Sequence, residues 1–189
     1  MSAQDARRLP ALLLLTDPDR TPDPAAAAGR LPKGSGVVFR SFGARDALAT
    51  GARLRSACRT GGVLLMVGAD ERLAALLAAD GVHLPERLAG LAGRIRRRRP
   101  SWLVTAAAHG PAAVRRAKLA GAQAVLVSVV FASASASAGR PLGAARFAAL
   151  VRGAGLPVYA LGGVNARTAV RLAGSGAAGL AAVEGLART

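Results

Sequence analysis

Short apolar runs recur along this chain, each closed by glycine, proline or a polar group before a stretch with helical spacing begins. The runs are 11–15, 36–40, 63–67, 81–84, 102–106, 124–130, 156–161 and 177–183. At four to seven residues each, they have the length of buried strands rather than of helices. Between them lie seven segments of helical character. Thr21 to Pro32 is cut by prolines around Ala25–Ala28 and predicts a short helix. Ala44 to Arg59 ends at Gly61-Gly62, and Glu71 to Ala78 follows Asp70 in the N-cap position. Pro85-Glu86 suit the first turn of a helix that runs through the arginines to Arg99. Ala112–Ala120, Ala144–Arg152 and Ala166–Ala173 complete the set, the last behind Asn165.

Strands of this kind alternating with helices predict a parallel α/β protein. Eight of them favour a single compact TIM (β/α)8 barrel with shortened helices, one domain spanning residues 1–189. The chain is shorter than the usual barrel of about 250 residues, and its clipped linkers and stunted first helix absorb the difference. An open doubly wound sheet is the alternative and would need another strand order. The stretch Leu156 to Leu186 reads as a closing βαβ unit with glycines at both strand ends, Gly162-Gly163 and Gly185. In a barrel those ends lie side by side, where backbone N–H groups can hold a phosphate.

Hydrophobic residues make up 52% of the chain and mean hydropathy is +0.33, yet much of this is alanine. No run approaches the ~18 residues of a membrane span. Leu9 to Leu15 follows Arg7 and Arg8 as an export signal would, but Thr16-Asp17-Pro18-Asp19 ends it without a cleavage pattern. It reads as the first strand, and the protein as cytoplasmic. The single cysteine, Cys58, excludes an intramolecular disulfide and a cysteine zinc cluster, and sits where a small buried hydrophobe belongs. The net charge of +16 invites a polyanion reading. Only Lys33 and Lys118 among the 26 basic residues are lysine, so arginine is the default surface residue here. The densest run, Arg94 to Arg99, stops at Pro100 without the interleaved aromatics that stack bases. We therefore expect neither nucleic acid nor membrane as a partner; a homo-oligomer is left open.

Barrel proteins carry their working groups at the carboxyl ends of strands. Those ends are Asp17, Arg40, Gly68, His83, Thr105 with His109, Ser128 with Phe131, Gly162-Gly163, and Glu184-Gly185. Arg40 is the one cation among them, and no carboxylates are paired at metal-binding spacing. Both histidines fall at strand ends. Alternation decides whether His83 faces the barrel or the helices. His109 follows a strand and precedes Gly110, where proton transfer is geometrically feasible.

These segments together resemble the thiamine phosphate synthase and thiazole tautomerase (TenI-like) family. The resemblance rests on LLLLTDP, ADGVHLPE at 79–86, TAAAHG at 105–110, AGAQAVLVSVVF at 120–131, and LPVYALGGV followed by GAAGLAAVEGL. It implies a (β/α)8 barrel that binds a phosphorylated thiazole, with the phosphate at strands seven and eight. On this basis Arg40, Gly162, Gly163, Glu184 and Gly185 are the expected substrate and phosphate contacts. The family's synthases displace pyrophosphate from a pyrimidylmethyl pyrophosphate with the help of magnesium. The positions implied for its aspartate ligands hold Ala69 and Leu88 here. A catalytic serine corresponds to Ala107 and a lysine to Ala136, inside the Ser/Ala-rich loop at 132–139, which we read as a candidate lid. Magnesium is thus a family cofactor whose ligands are missing, and no metal site is expected.

The tautomerases of the same family move a proton with the histidine of the strand-five motif, and His109 occupies that place. Tautomerisation needs acid/base chemistry and no metal. The family's serine near the end of strand eight is Glu184, a carboxylate that repels a phosphate if it points inward. The resulting expectation is a synthase-like protein of thiazole phosphate metabolism with His109 as proton carrier. The alternative is a barrel that binds a phosphorylated ligand without turnover.

Overall fold

Eight parallel strands close on themselves in sequential order, β1 to β8, in a computed structural model that describes residues 9–133 and 139–183. The strands are β1 (Leu12–Leu15), β2 (Gly36–Phe39), β3 (Leu64–Gly68), β4 (Gly81–Leu84), β5 (Leu103–Ala108), β6 (Ala124–Val127), β7 (Val158–Ala160) and β8 (Gly179–Ala182). Closure is made by β1, which pairs with β2 through Leu13↔Gly36 and with β8 through Leu13↔Ala181. The predicted barrel is therefore the observed fold, and the open sheet is not. Among the described residues the α-helices are α1 (Pro24–Gly29), α2 (Ala47–Gly61), α3 (Glu71–Leu76), α4 (Ala92–Arg98), α5 (Pro111–Leu119), α6 (Gly143–Ala154) and α7 (Ala166–Ala169). Two segments expected as α-helix are partly 3-10: Glu86–Leu91 precedes α4, and Val170–Leu172 extends α7.

Strand alternation divides the core in two. Inward residues such as Leu13, Leu15, Val38, Met66, Leu126 and Tyr159 fill the barrel. Outward ones such as Leu14, Val37, Leu65, Val82 and Val104 pack under the helices. Because side chains alternate with period two, a one-residue slip of any strand would exchange these sets, which is why the register is strongly specified. Tyr159 is fully buried and its hydroxyl donates to the Pro10 carbonyl at 2.7 Å. Burial pushes this phenol's pKa up, so it stays a neutral donor.

The helices follow from local chemistry. In α2 the buried residues Gly51, Leu54 and Cys58 fall on one face at helical spacing, and Gly62 ends the helix in the left-handed region. Cys58 is fully buried, and burial raises its thiol pKa to about 12, so it behaves as the expected hydrophobe. Asp70 caps α3 by accepting the Leu73 N–H at 2.8 Å. Asn165 and Thr168 form a reciprocal capping box on α7. Asp80, in the Asp80-Gly-Val-His83 segment, accepts from the Leu65 N–H at 2.8 Å and from Arg55 at 2.7 Å, tying β3 to α2. The arginine run is put to structural use: Arg96 donates to the Gly121 carbonyl, Arg98 pairs with Glu71, and Arg99 stacks over Trp102. No helix among the described residues is long and apolar enough to cross a membrane.

Candidate active site

The inward parity of each strand carries past its last paired residue and delivers side chains to the carboxyl end of the barrel. Residues 103, 105, 107 and 109 continue one phase of β5, so His109 arrives at the cavity rim; Arg40 continues the phase of Gly36 and Val38 on β2. A cavity of about 1040 Å³ opens there. Four of the residues expected from sequence line it together: Arg40, His109, Gly162 and Gly163. Glu184 and Gly185 lie outside the described residues, as does most of the Ser/Ala loop with Ala136. Arg20, Phe42, His83, Arg87 and Ser128 join the lining.

Arg40 is half-buried and held from below. Its Nε donates to the Thr16 carbonyl at 2.7 Å, its backbone N–H to Thr16 Oγ1 at 2.9 Å, and Nη2 lies 3.4 Å from Asp17. Its guanidinium sits 5.2 Å from the Phe42 ring. Burial lowers its pKa, opposed by Asp17, and a guanidinium remains charged across the working pH range. Phe42 itself is 68% exposed and has φ of 47°, a backbone state costly for a bulky side chain. Ala69, on the neighbouring loop, also has positive φ (63°), with Asp70 N–H bonded to the Gly68 carbonyl at 2.8 Å. Strain in adjacent βα loops at one rim is typical of a functional face.

His83 points into the barrel, which alternation alone had left open. Its Nδ1 is 2.9 Å from Thr105 Oγ1, the residue beside it in the β4–β5 register, and Thr105 in turn contacts Met66 Sδ at 4.0 Å. Burial, helped by Arg40, lowers the His83 pKa to about 4. In the unfolded chain it titrates near its ordinary 6.5, so between these values the unfolded state binds more protons. The stabilisation is complete above pH 6.5 and lost as pH falls toward 4, worth about 3 kcal/mol over the window. We expect urea midpoints of the wild type to fall steeply from pH 6.5 to 4. A His83→Asn variant should lack that share of the slope; parallel slopes in both would show that His83 is not the cause.

His109 is 59% exposed, but its ring is not loose. Nδ1 lies 2.7 Å from Glu86 Oε2, which also accepts the His109 backbone N–H at 3.1 Å. Glu86 Oε1 accepts from Arg116 Nη2 at 2.6 Å. The His109 hydrogen bond is the main cause holding the Glu86 carboxyl below its usual pKa. In sequence Glu86 reads only as a first-turn acid; its partners are 23 and 30 residues away, and no local signal points to them.

After β7 the chain turns through Gly162 (φ 89°) and Gly163 (φ 63°). Among the described residues, the N–H groups of Gly162, Gly163 and Val164 have no hydrogen-bond partner, and all three residues line the cavity. The loop after β6 presses on this turn: Val130 and Phe131 donate to the Leu161 and Gly162 carbonyls, both at 3.0 Å. A Cβ on Gly163 would lie 2.3 Å from the Ala132 carbonyl oxygen.

The positions implied for metal ligation carry no oxygen donors on their side chains. Ala69 is a methyl at the rim, and Leu88 packs against the outer core. Two acids line the cavity, Asp70 and Glu71, but Asp70 caps α3 and Glu71 pairs with Arg98. Among the described residues no group of three His, Cys, Asp or Glu side chains converges as a metal site.

Fold and cavity define a small (β/α)8 barrel with its polar groups gathered at the carboxyl ends of the strands. The chain belongs to the thiamine monophosphate synthase family, whose model matches residues 16–186. The thiamine-phosphate synthase of Methylococcus capsulatus is 33% identical over 168 residues, covering 85% of this chain and 73% of that protein. That of Alcanivorax borkumensis is 32% identical over 190 residues, covering 95% and 86%. The bifunctional protein ThiM/ThiE of Symbiobacterium thermophilum is 34% identical over 137 residues, and this chain spans only 28% of its length. The thiamine phosphate pyrophosphorylase of Pyrococcus furiosus has the same fold, with a TM-score of 0.77 at 22% identity, covering 94% of this chain and 87% of that one.

Proposed function

We propose that this barrel binds a phosphorylated thiazole and moves a proton on it through His109. The observation that supports it most is the imidazole held at the cavity rim by Glu86 through Nδ1, with Nε2 left without a partner among the described residues. A neutral Nε2 takes a proton from a carbon of the ligand, and the resulting imidazolium returns one to another atom of the same ligand. The product is an isomer of the substrate, so no leaving group departs and no second substrate is consumed. The turn at Gly162–Val164 offers three backbone N–H groups to the phosphate, and Arg40 supplies positive charge from the β2 side.

Transfer with loss of pyrophosphate asks for more. The displaced pyrophosphate carries several negative charges, which a divalent ion and surrounding cations normally stabilise. Ala69 and Leu88 offer magnesium no side-chain oxygen, and the acids at the cavity, Asp70 and Glu71, are taken by the α3 cap and by Arg98, so the described side chains do not fit that ion and we derive no step through it. The names of the relatives favour the transferase as the second reading.

Two assays separate these readings. Purified protein is given the thiazole carboxylate phosphate isomer, and isomerisation is followed spectroscopically; separately it is given both synthase substrates with magnesium. Isomerisation without thiamine phosphate formation is the expected result. Thiamine phosphate made at an ordinary enzymatic rate overturns the proposal, and calorimetric binding without turnover of either substrate would make this a ligand-binding barrel. Arg40→Ala is expected to weaken affinity for the phosphorylated thiazole about 10- to 100-fold, the scale of one charged hydrogen-bonding partner. Equal affinity in calorimetry would place the anion elsewhere. Arg40→Lys should recover little, since an ammonium cannot replace the fork held by Thr16 and Asp17.

A further inference from the structure

His109 follows the end of β5, and its side chain is mostly solvent-exposed. An exposed imidazole on such a segment samples several rotamers, and in water the neutral ring favours the proton on Nε2. Either freedom would harm a proton carrier that must present the Nε2 lone pair to a ligand. The geometry around Glu86 removes both. One carboxylate oxygen, Oε2, accepts from the backbone N–H and from the ring Nδ1 of the same histidine, at 3.1 and 2.7 Å. Bonding both groups fixes the side-chain torsions relative to the backbone. The other oxygen is taken by Arg116 at 2.6 Å, which stops the carboxylate from rotating away. An ionised carboxylate has only acceptors to offer, so the ring nitrogen facing it must bear hydrogen.

We infer that Glu86 is the positioning residue of the site: it holds His109 in the Nδ1–H tautomer, with Nε2 as the basic nitrogen turned to the cavity, and Arg116 braces it. Glu86 stands on the 3-10 segment Glu86–Leu91 and Arg116 on α5, so the device spans two successive βα units. When His109 takes up a proton, the carboxylate faces the new imidazolium across the existing hydrogen bond and no group has to move. Glu86 donates and receives no proton itself. The inference rests on His109 being the proton carrier, and its test reads the two ideas separately.

The first measurement needs no substrate. Nitrogen-15 labelling of the histidines and long-range correlation spectra at alkaline pH report which ring nitrogen carries hydrogen, with His83 identified through His83→Asn. Wild-type His109 is expected to show the Nδ1–H pattern, and Glu86→Ala a mixture shifted toward Nε2–H. The second measurement is isomerisation of the thiazole carboxylate phosphate. Glu86→Ala should lower kcat on the order of 10- to 100-fold with KM unchanged, as for outer partners that orient a functional histidine. Glu86→Gln keeps an oxygen acceptor without the charge and should recover both the tautomer and part of the rate. It also covers the case in which the alanine variant folds poorly. An unchanged tautomer in Glu86→Ala overturns the inference, and so does an unchanged kcat in that variant when His109→Ala is inactive. Full activity of His109→Ala removes the proton-carrier reading, and with it any catalytic purpose for the clamp, even where the tautomer behaves as described.

Discussion

Replacing His109 with alanine is expected to lower the isomerisation rate by about 10²- to 10⁴-fold, the usual contribution of a positioned acid/base group. Binding of the phosphorylated ligand should change little, because the backbone N–H groups of Gly162–Val164 and the Arg40 guanidinium are left in place. The loss therefore belongs in kcat, with KM close to wild type. The variant should also fold normally. His109 is exposed, and among the described residues its side chain bonds only to Glu86, which keeps Arg116 as a partner. His83 is poorly suited to take over the role: it is buried, engaged by Thr105, and its pKa of about 4 makes it a weak base at neutral pH. A rate within a factor of two or so of wild type would remove His109 from the chemistry.

The second large effect is structural. Gly163→Ala is expected to destabilise the protein and to abolish phosphate binding together. The residue has φ of 63°, where an L side chain costs about 1–2 kcal/mol. The added methyl would meet the Ala132 carbonyl at 2.3 Å and the Phe131 carbonyl at 2.7 Å, both main-chain atoms. Overpacking against groups that cannot rotate away costs about another 1–3 kcal/mol. In a chain of this size the sum lowers Tm by about 5–15 °C. Relief requires the loop after β6 to back away, and that loop is bonded to the same turn through Phe131 N–H and the Gly162 carbonyl. Its retreat would disturb the N–H groups proposed to meet the phosphate. Thermal melts with and without inorganic phosphate check both parts: the variant should melt lower and lose the ligand-dependent rise. Wild-type melting would mean that the loop yields easily and the contact does not matter.

The elements were legible because their signals are local. Four-residue apolar runs closed by glycine, N-caps such as Asp70 and Asn165, and helical spacing through Leu54 and Cys58 are each written within a few residues. Boundaries were less so. The run Ala124–Val130 reads as one strand, yet β6 stops at Val127. Val130 and Phe131 are as buried as strand residues, but their N–H groups bond the Leu161 and Gly162 carbonyls at the end of β7 and hold a packed loop there. Apolar content reports burial and cannot distinguish a strand from a packed loop.

For the site, sequence by itself determined which residues stand at strand ends: Arg40, His83, His109 and Gly162-Gly163 are all at the cavity. Strand parity and chain order suffice for that. Only the tertiary structure decided their states. His83 became a buried neutral ring because β4 and β5 lie in the register that sets it beside Thr105. Glu86 became the partner of His109 because β4 and β5 pair side by side and bring the segments after them together, though 23 residues separate the two in the chain. Phe42 took its place at the rim through a backbone torsion that its identity disfavours. Hydrogen bonds between distant residues and the protonation they impose depend on through-space distance, and that distance is set when the strands pair in register.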